Sequence, residues 1–148
     1  MISKSLDETK KIAREILAKL NSCAKSDLAM RSTISHKQKA TILLLQGDLG
    51  SGKTTFVQFL AQELGIKNHL TSPTFVLIKK YGNFIHIDAY RLNQGQDLLS
   101  LGWTELVSDP KNLIVVEWPE RVADLWDGTE HKINFKFIDE KTREITLV

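Results

Sequence analysis

The chain has one cysteine, Cys23, in 148 residues, so no disulfide can form within it. A single thiol in this setting reads as a small helix-packing residue. No stretch approaches the ~18 apolar residues of a membrane-spanning helix. No apolar run follows the charged start MISKSLDETKK, so that start does not read as a secretory signal. A reducing cytoplasm, away from membranes, is the expectation. The chain also lacks a charge excess: 20 basic side chains face 18 acidic ones, for a net +2. Bulk charge therefore does not indicate a nucleic-acid binder. Repeats, low-complexity tracts and linkers are missing too, and residues 1–148 are expected to form a single domain.

What is present is an alternation of strand and helix signals. Ser5 and Asp7 are candidate caps for a first helix, in which Ile12, Ile16, Leu17 and Leu20 recur at helical spacing. From Asn21 to Lys39 the pattern dissolves, and the expectation there is a connector. Thr41 to Gln46 is a short apolar run closed by Gly47, as a buried strand would be. Gly52 to Leu64 reads as a helix with Phe56, Phe59, Leu60 and Leu64 on one face and Gly65 as its stop.

Strand signals follow at Phe75 to Lys79 and Asn83 to Asp88, with a turn at Tyr81-Gly82-Asn83. Gln96 to Leu101 predicts a short helix ending at Gly102, and Leu113 to Glu117 is a second solid apolar run. Pro119 to Leu125 starts another helix with proline in its first turn. Ile133 to Ile138 and Glu144 to Val148 read as a late strand pair. Helices mixed with fully apolar strands predict an α/β sandwich. The close spacing of the 75–79 and 83–88 runs predicts a hairpin, hence a mixed sheet.

The chemistry centres on Gly47-Asp48-Leu49-Gly50-Ser51-Gly52-Lys53-Thr54, which fits G-x-x-x-x-G-K-[ST] at every fixed position. Glycines let backbone N–H groups turn inward around an anion. The following helix adds the positive end of its dipole. Lys53 supplies a cation to the β and γ phosphates, and Thr54 a hydroxyl for Mg²⁺; Thr55 is a second hydroxyl beside it. An apolar strand enters the loop and an amphipathic helix leaves it, as a phosphate loop requires.

Hydrolysis or transfer also needs an acid near the metal, and acids at the carboxyl ends of strands are the place to look. Asp88 ends Phe84-Ile85-His86-Ile87-Asp88, and Glu117 ends Leu113-Ile114-Val115-Val116-Glu117. His86 alternates with Asp88, so both point to one face; a lone histidine there is more often a packing residue. Arg91 either pairs with Asp88 or contacts a partner. Thr71-Ser72-Pro73-Thr74 is either a stiff polar turn or a switch loop sensing the γ-phosphate.

Four segments, GDLGSGKTTF (47–56), TSPTF (71–75), HIDAYR (86–91) and VEWPE (116–120), occur in this order and spacing. Together they resemble the small ATPase family of bacterial tRNA threonylcarbamoyladenosine biosynthesis, the TsaE family. The resemblance spans roughly Thr41 to Arg121. Ser51 departs from it, standing where alanine is common.

The resemblance implies a P-loop NTPase-like three-layer sandwich with a mixed central sheet, and ATP and Mg²⁺ as cofactors. It implies hydrolysis that is weak in isolation, with Mg²⁺ held by Thr54 or Thr55 and by Glu117, Asp88 needed for hydrolysis, and Trp118 beside the nucleotide. It also implies docking on a threonylcarbamoyl-transferase subunit and its inert paralogue, with tRNA engaged indirectly. ATP would then be spent on resetting that pair. Rival readings are a small-molecule kinase, for which residues 89–112 offer only Arg91 and Lys111 as lid cations, and a nucleotide-gated binding module. No Asn-Lys-x-Asp tetrapeptide is present to read guanine.

Overall fold

A computed structural model of the chain describes residues 1–30, 39–67 and 77–148, with side chains omitted for 23–30. Seven strands form one sheet in the order β1-β7-β6-β2-β5-β4-β3. In chain order these are β1 (Ile2–Ser3), β2 (Thr41–Gly47), β3 (Ile78–Tyr81), β4 (Phe84–Asp88), β5 (Leu113–Glu117), β6 (His131–Phe137) and β7 (Arg143–Leu147). The helices are α1 (Leu6–Met30), α2 (Lys53–Glu63), α3 (Gly95–Leu99), α4 (Trp103–Ser108) and a 3₁₀ helix at Pro119–Leu125.

The four middle strands, β6-β2-β5-β4, run parallel, and the outer strands pair antiparallel. The sheet is therefore mixed, as the hairpin spacing predicted. Because β2 and β5 are covered on both faces, their apolar runs do not alternate with polar residues. Leu43, Leu45 and Val115 face α1 and α2, meeting Ile12, Ala13, Ile16, Phe56, Val57 and Leu60 in one core. Ile42, Leu44, Ile114 and Val116 face the other way, against Leu98 of α3, Trp103 and Leu106 of α4, and Val122 of the 3₁₀ helix. Three layers result. Each fully buried Leu, Ile or Phe contributes about 1.5–3 kcal/mol relative to exposure.

Some expected elements differ. The connector expected from Asn21 is helix as far as Met30. Apolar periodicity fades there, but Ala24, Lys25, Leu28, Ala29 and Met30 are good helix formers, and no glycine or proline interrupts the chain before Gly47. The helix start was legible: Ser5 Oγ accepts the Glu8 backbone N–H at 3.2 Å. Leu64 does not join the core face of α2; it is exposed, while Val57 and Ala61 are fully buried. β3 begins at Ile78, and Phe75 and Val76 lie outside the described residues, as does Thr71 to Thr74. β1 and α4 were not foreseen. Two residues and a turn and a half are too short to carry a period.

Parallel pairing brings three strand ends to one edge. Leu45 and Asp88 both lie in register with Glu117, and Gly47 ends β2 two residues beyond Leu45.

Candidate active site

The loop from Gly47 to Gly52 leaves β2 and enters α2 above this edge. Phe56, in the first turns of α2, packs edge-on against Phe135 of β6 with ring centroids 5.3 Å apart. That contact pins the helix start over the sheet end. Gly47 approaches β6 so closely that a Cβ would overlap the Phe135 carbonyl oxygen. Gly52 precedes α2 with φ +97°, a left-handed conformation suited to glycine. A Cβ there would lie 2.7 Å from Nη1 of Arg143, whose guanidinium packs against the loop.

A cavity of about 280 Å³ opens at this corner. Leu49, Gly50, Gly52, Lys53, Thr54 and Thr55 line it from the loop and α2; Asp88, Tyr90, Glu117 and Trp118 line it from the ends of β4 and β5. Gly47, Asp48 and Ser51 stand behind it and touch Lys53. The Lys53 ammonium donates to the carbonyls of Gly47 and Asp48, the latter at 2.8 Å, and reaches Ser51 Oγ at 3.5 Å. It also sits 4.0 Å from the centre of the Trp118 ring, a cation–π distance. Burial pushes the Lys53 ammonium below the usual lysine range, against the pull of Glu117, Glu120, Asp48 and Asp88. The cation is thus held by carbonyls and a ring, a setting that an incoming phosphate would improve.

Glu117 is nearly fully buried. Its Oε2 accepts the Thr54 hydroxyl at 2.9 Å, and its Oε1 lies 2.8 Å from His86 Nε2. The hydroxyl bonded to this acid is that of Thr54, not Thr55. Asp88 stands beside Glu117 on the next strand, partly buried. Burial, and then the Glu117 charge, push its carboxyl above the usual aspartate range; the Tyr90 backbone N–H, His86 and Arg91 oppose this. Arg91 is exposed and acts on Asp88 only through space.

Trp118 is the one residue other than glycine with positive φ among the described residues, at φ 60° and ψ 48°. This backbone conformation costs roughly 1–2 kcal/mol in a side chain-bearing residue. The chain turns here between β5 and the 3₁₀ helix that starts at Pro119, and the indole lines the cavity. Tyr90 packs against it with ring centroids 5.0 Å apart and the rings tilted by 58°. Tyr90 and Arg143 were not singled out from sequence as site residues. Tyr90 had a signal, lying two residues beyond Asp88; Arg143 had none, being far along the chain in β7.

The donor set fits a hard cation. Mg²⁺ takes oxygen ligands, keeps waters and typically uses one or two protein groups plus substrate phosphates. Thr54 Oγ1 and Glu117 Oε2, already side by side at the cavity wall, are such a pair. Among the described residues there is no cluster of three or more His, Cys, Asp or Glu that would hold a metal alone. A glycine-lined anion cradle, a cation, a hydroxyl–carboxylate pair and a second acid suit a metal-assisted phosphoryl transfer. No helix among the described residues is long and apolar enough to cross a membrane.

Comparison with known proteins places nearly the whole chain in a family. The family model described as threonylcarbamoyl adenosine biosynthesis protein TsaE matches residues 3–145. A tRNA threonylcarbamoyladenosine biosynthesis protein TsaE from Treponema pallidum is 37% identical over 113 residues, covering 74% of this chain and 83% of that protein. The Synechocystis protein of the same name is 42% identical over 91 residues, 57% of this chain and 58% of that protein. A crystal structure of Bacillus subtilis YdiB superposes with a TM-score of 0.66 at 28% identity, covering 99% of this chain and 82% of that one.

Proposed function

The chain belongs to the TsaE family of threonylcarbamoyl adenosine biosynthesis proteins, and from that premise we propose that it is a Mg²⁺-dependent ATPase serving threonylcarbamoyl modification of tRNA. The observation that carries the ATPase reading is the Thr54–Glu117 hydrogen bond of 2.9 Å, set in a cavity that Lys53 and Asp88 share.

In this reading the loop from Gly47 to Thr55 encloses the phosphates with its backbone N–H groups. Lys53 leaves the carbonyls of Gly47 and Asp48 and takes up the β and γ oxygens. Thr54 and Glu117 hold Mg²⁺, which when bound neutralises charge building on the phosphates. Asp88 accepts a hydrogen bond from the attacking water and orients it; its raised proton affinity suits that role. The Trp118 indole, freed from Lys53, covers the nucleotide.

The ATP cycle acts on a threonylcarbamoyl-transferase subunit and its inert paralogue, resetting them for another turnover, and tRNA is met through them. The test is hydrolysis by the purified protein, alone and with the transferase pair from the same cell. Weak basal hydrolysis that the pair stimulates, and that Asp88→Ala loses, is expected. Equal low hydrolysis with and without the pair overturns the assignment to this pathway. An Asp88→Ala protein that is dead in hydrolysis yet supports modification makes the chain a nucleotide-gated binding module instead.

A further inference from the structure

Glu117 lies near the floor of the cavity, and what lies behind it is a histidine. His86 sits in the middle of β4, between Ile85 and Ile87, and its side chain is fully buried. It does not line the cavity, so it touches neither phosphate nor metal there. Its Nε2 meets Glu117 Oε1 at 2.8 Å, while Oε2 of the same carboxylate takes the Thr54 hydroxyl. A carboxylate oxygen only accepts, so the ring proton belongs on Nε2. Nδ1 is buried and has no hydrogen-bond partner among the described residues. Burying an unpaired ring nitrogen costs free energy that an aliphatic side chain of similar size would avoid. Among the described residues, the one hydrogen bond this ring makes is the one to Glu117.

We propose that His86 is a positioning residue: its Nε2–H fixes Oε1 of Glu117, and so holds Oε2 beside Thr54 in the orientation that receives Mg²⁺. The proposal rests on the Mg²⁺-ATP reading of the site. The terminal torsion of a glutamate is broad, with no sharp rotamer of its own. Two donors placed on its two oxygens, His86 from the sheet side and Thr54 from α2, remove that freedom. The partner of a metal ligand matters in this way generally, and its loss weakens metal binding or activity by about 10–100-fold. The β4–β5 pairing makes the arrangement rigid, because His86 lies in register with Val115, two residues before Glu117 on the adjacent strand.

The experiment compares the full-length protein with His86→Leu and His86→Gln, using a non-hydrolysable ATP analogue. Affinity is measured by calorimetry without metal and then across a Mg²⁺ titration. His86→Leu is expected to keep its metal-free affinity and to need about 10–100-fold more Mg²⁺ for half-maximal effect. His86→Gln, whose amide can place an N–H near the position of Nε2, is expected to recover most of the loss. A Leu variant with the wild-type Mg²⁺ requirement overturns the proposal, as does a Gln variant no better than Leu.

A second readout needs no variant. Long-range ¹H–¹⁵N spectra of the wild-type imidazole should show the Nε2–H tautomer, shifted when Mg²⁺ and the analogue are added. The Nδ1–H tautomer overturns the proposal. Wild-type protein that binds the analogue without any response to Mg²⁺ overturns the metal reading of the site itself, which separates that failure from the failure of His86 alone.

Discussion

Thr54 and Thr55 are adjacent hydroxyls at the start of α2, both on the cavity wall, yet only Thr54 is bonded to Glu117. Thr54→Val removes that hydroxyl while nearly conserving shape. In the protein without nucleotide, the loss is a hydrogen bond to a charged group at an open wall where water can substitute. It should cost about 1 kcal/mol of stability, below the roughly 1.5–3 kcal/mol of a dry bond of this type. With nucleotide bound, the same change would remove the hydroxyl proposed to hold Mg²⁺ with Glu117. Loss of one contact to developing charge lowers the rate by about 10²–10³, or about 3–4 kcal/mol.

Thr55→Val touches no such contact and should stay within about 0.5 kcal/mol in stability and a small factor in rate. Single-turnover hydrolysis at saturating ATP, with urea denaturation of each variant, separates the two positions. Equal losses in both variants would contradict a special role for Thr54, and so would a metal dependence that changes in Thr55→Val alone.

Gly47→Ala should be far more destabilising than Gly52→Ala. Positive φ costs both about 1–3 kcal/mol, but the added methyl at position 47 meets the backbone of β6, whereas at position 52 it meets only the end of Arg143. Thermal melting checks this, and similar losses for the two would contradict it. For Asp88→Asn the sign follows from linkage. The Asp88 carboxyl is raised in the folded protein, so the stability it lends exists below the ordinary aspartate value of 3.8 and is lost as pH rises through the folded value. At neutral pH the charged carboxylate therefore weighs against folding, and Asp88→Asn should melt higher than wild type, with the gap closing on acidification. A variant less stable than wild type at neutral pH would overturn the direction.

Much of the fold was legible because its signals were local. The unbroken apolar runs of β2 and β5 needed only a length and a glycine or acid at the end, and the cavity opens at those same ends. The glycine-rich loop, Asp88 and Glu117 meet at one cavity, as their positions at strand ends implied, and Trp118 joins them there, as the family resemblance implied. What stayed hidden depends on contacts far apart in sequence. The choice of Thr54 over Thr55 depends on the rotation of α2 against β5. Arg143 reaches the loop only because β7 pairs with β6 beside β2. The extension of α1 to Met30 lacked an apolar stripe, so only intrinsic propensity marked it. His86 read as a packing residue, because its bond to Glu117 crosses between neighbouring strands and no pattern along β4 reveals it. The switch-like reading of Thr71 to Thr74 falls outside the described residues.

The most direct test of the central claim, that the loop from Gly47 to Thr55 is a Mg²⁺-dependent ATP site, is calorimetric titration of ATP with and without Mg²⁺ into wild type and Lys53→Ala. Wild-type protein is expected to bind ATP in a way that Mg²⁺ alters, and to lose that binding when the one ammonium inside the loop is removed. Unchanged ATP affinity in Lys53→Ala would contradict that claim.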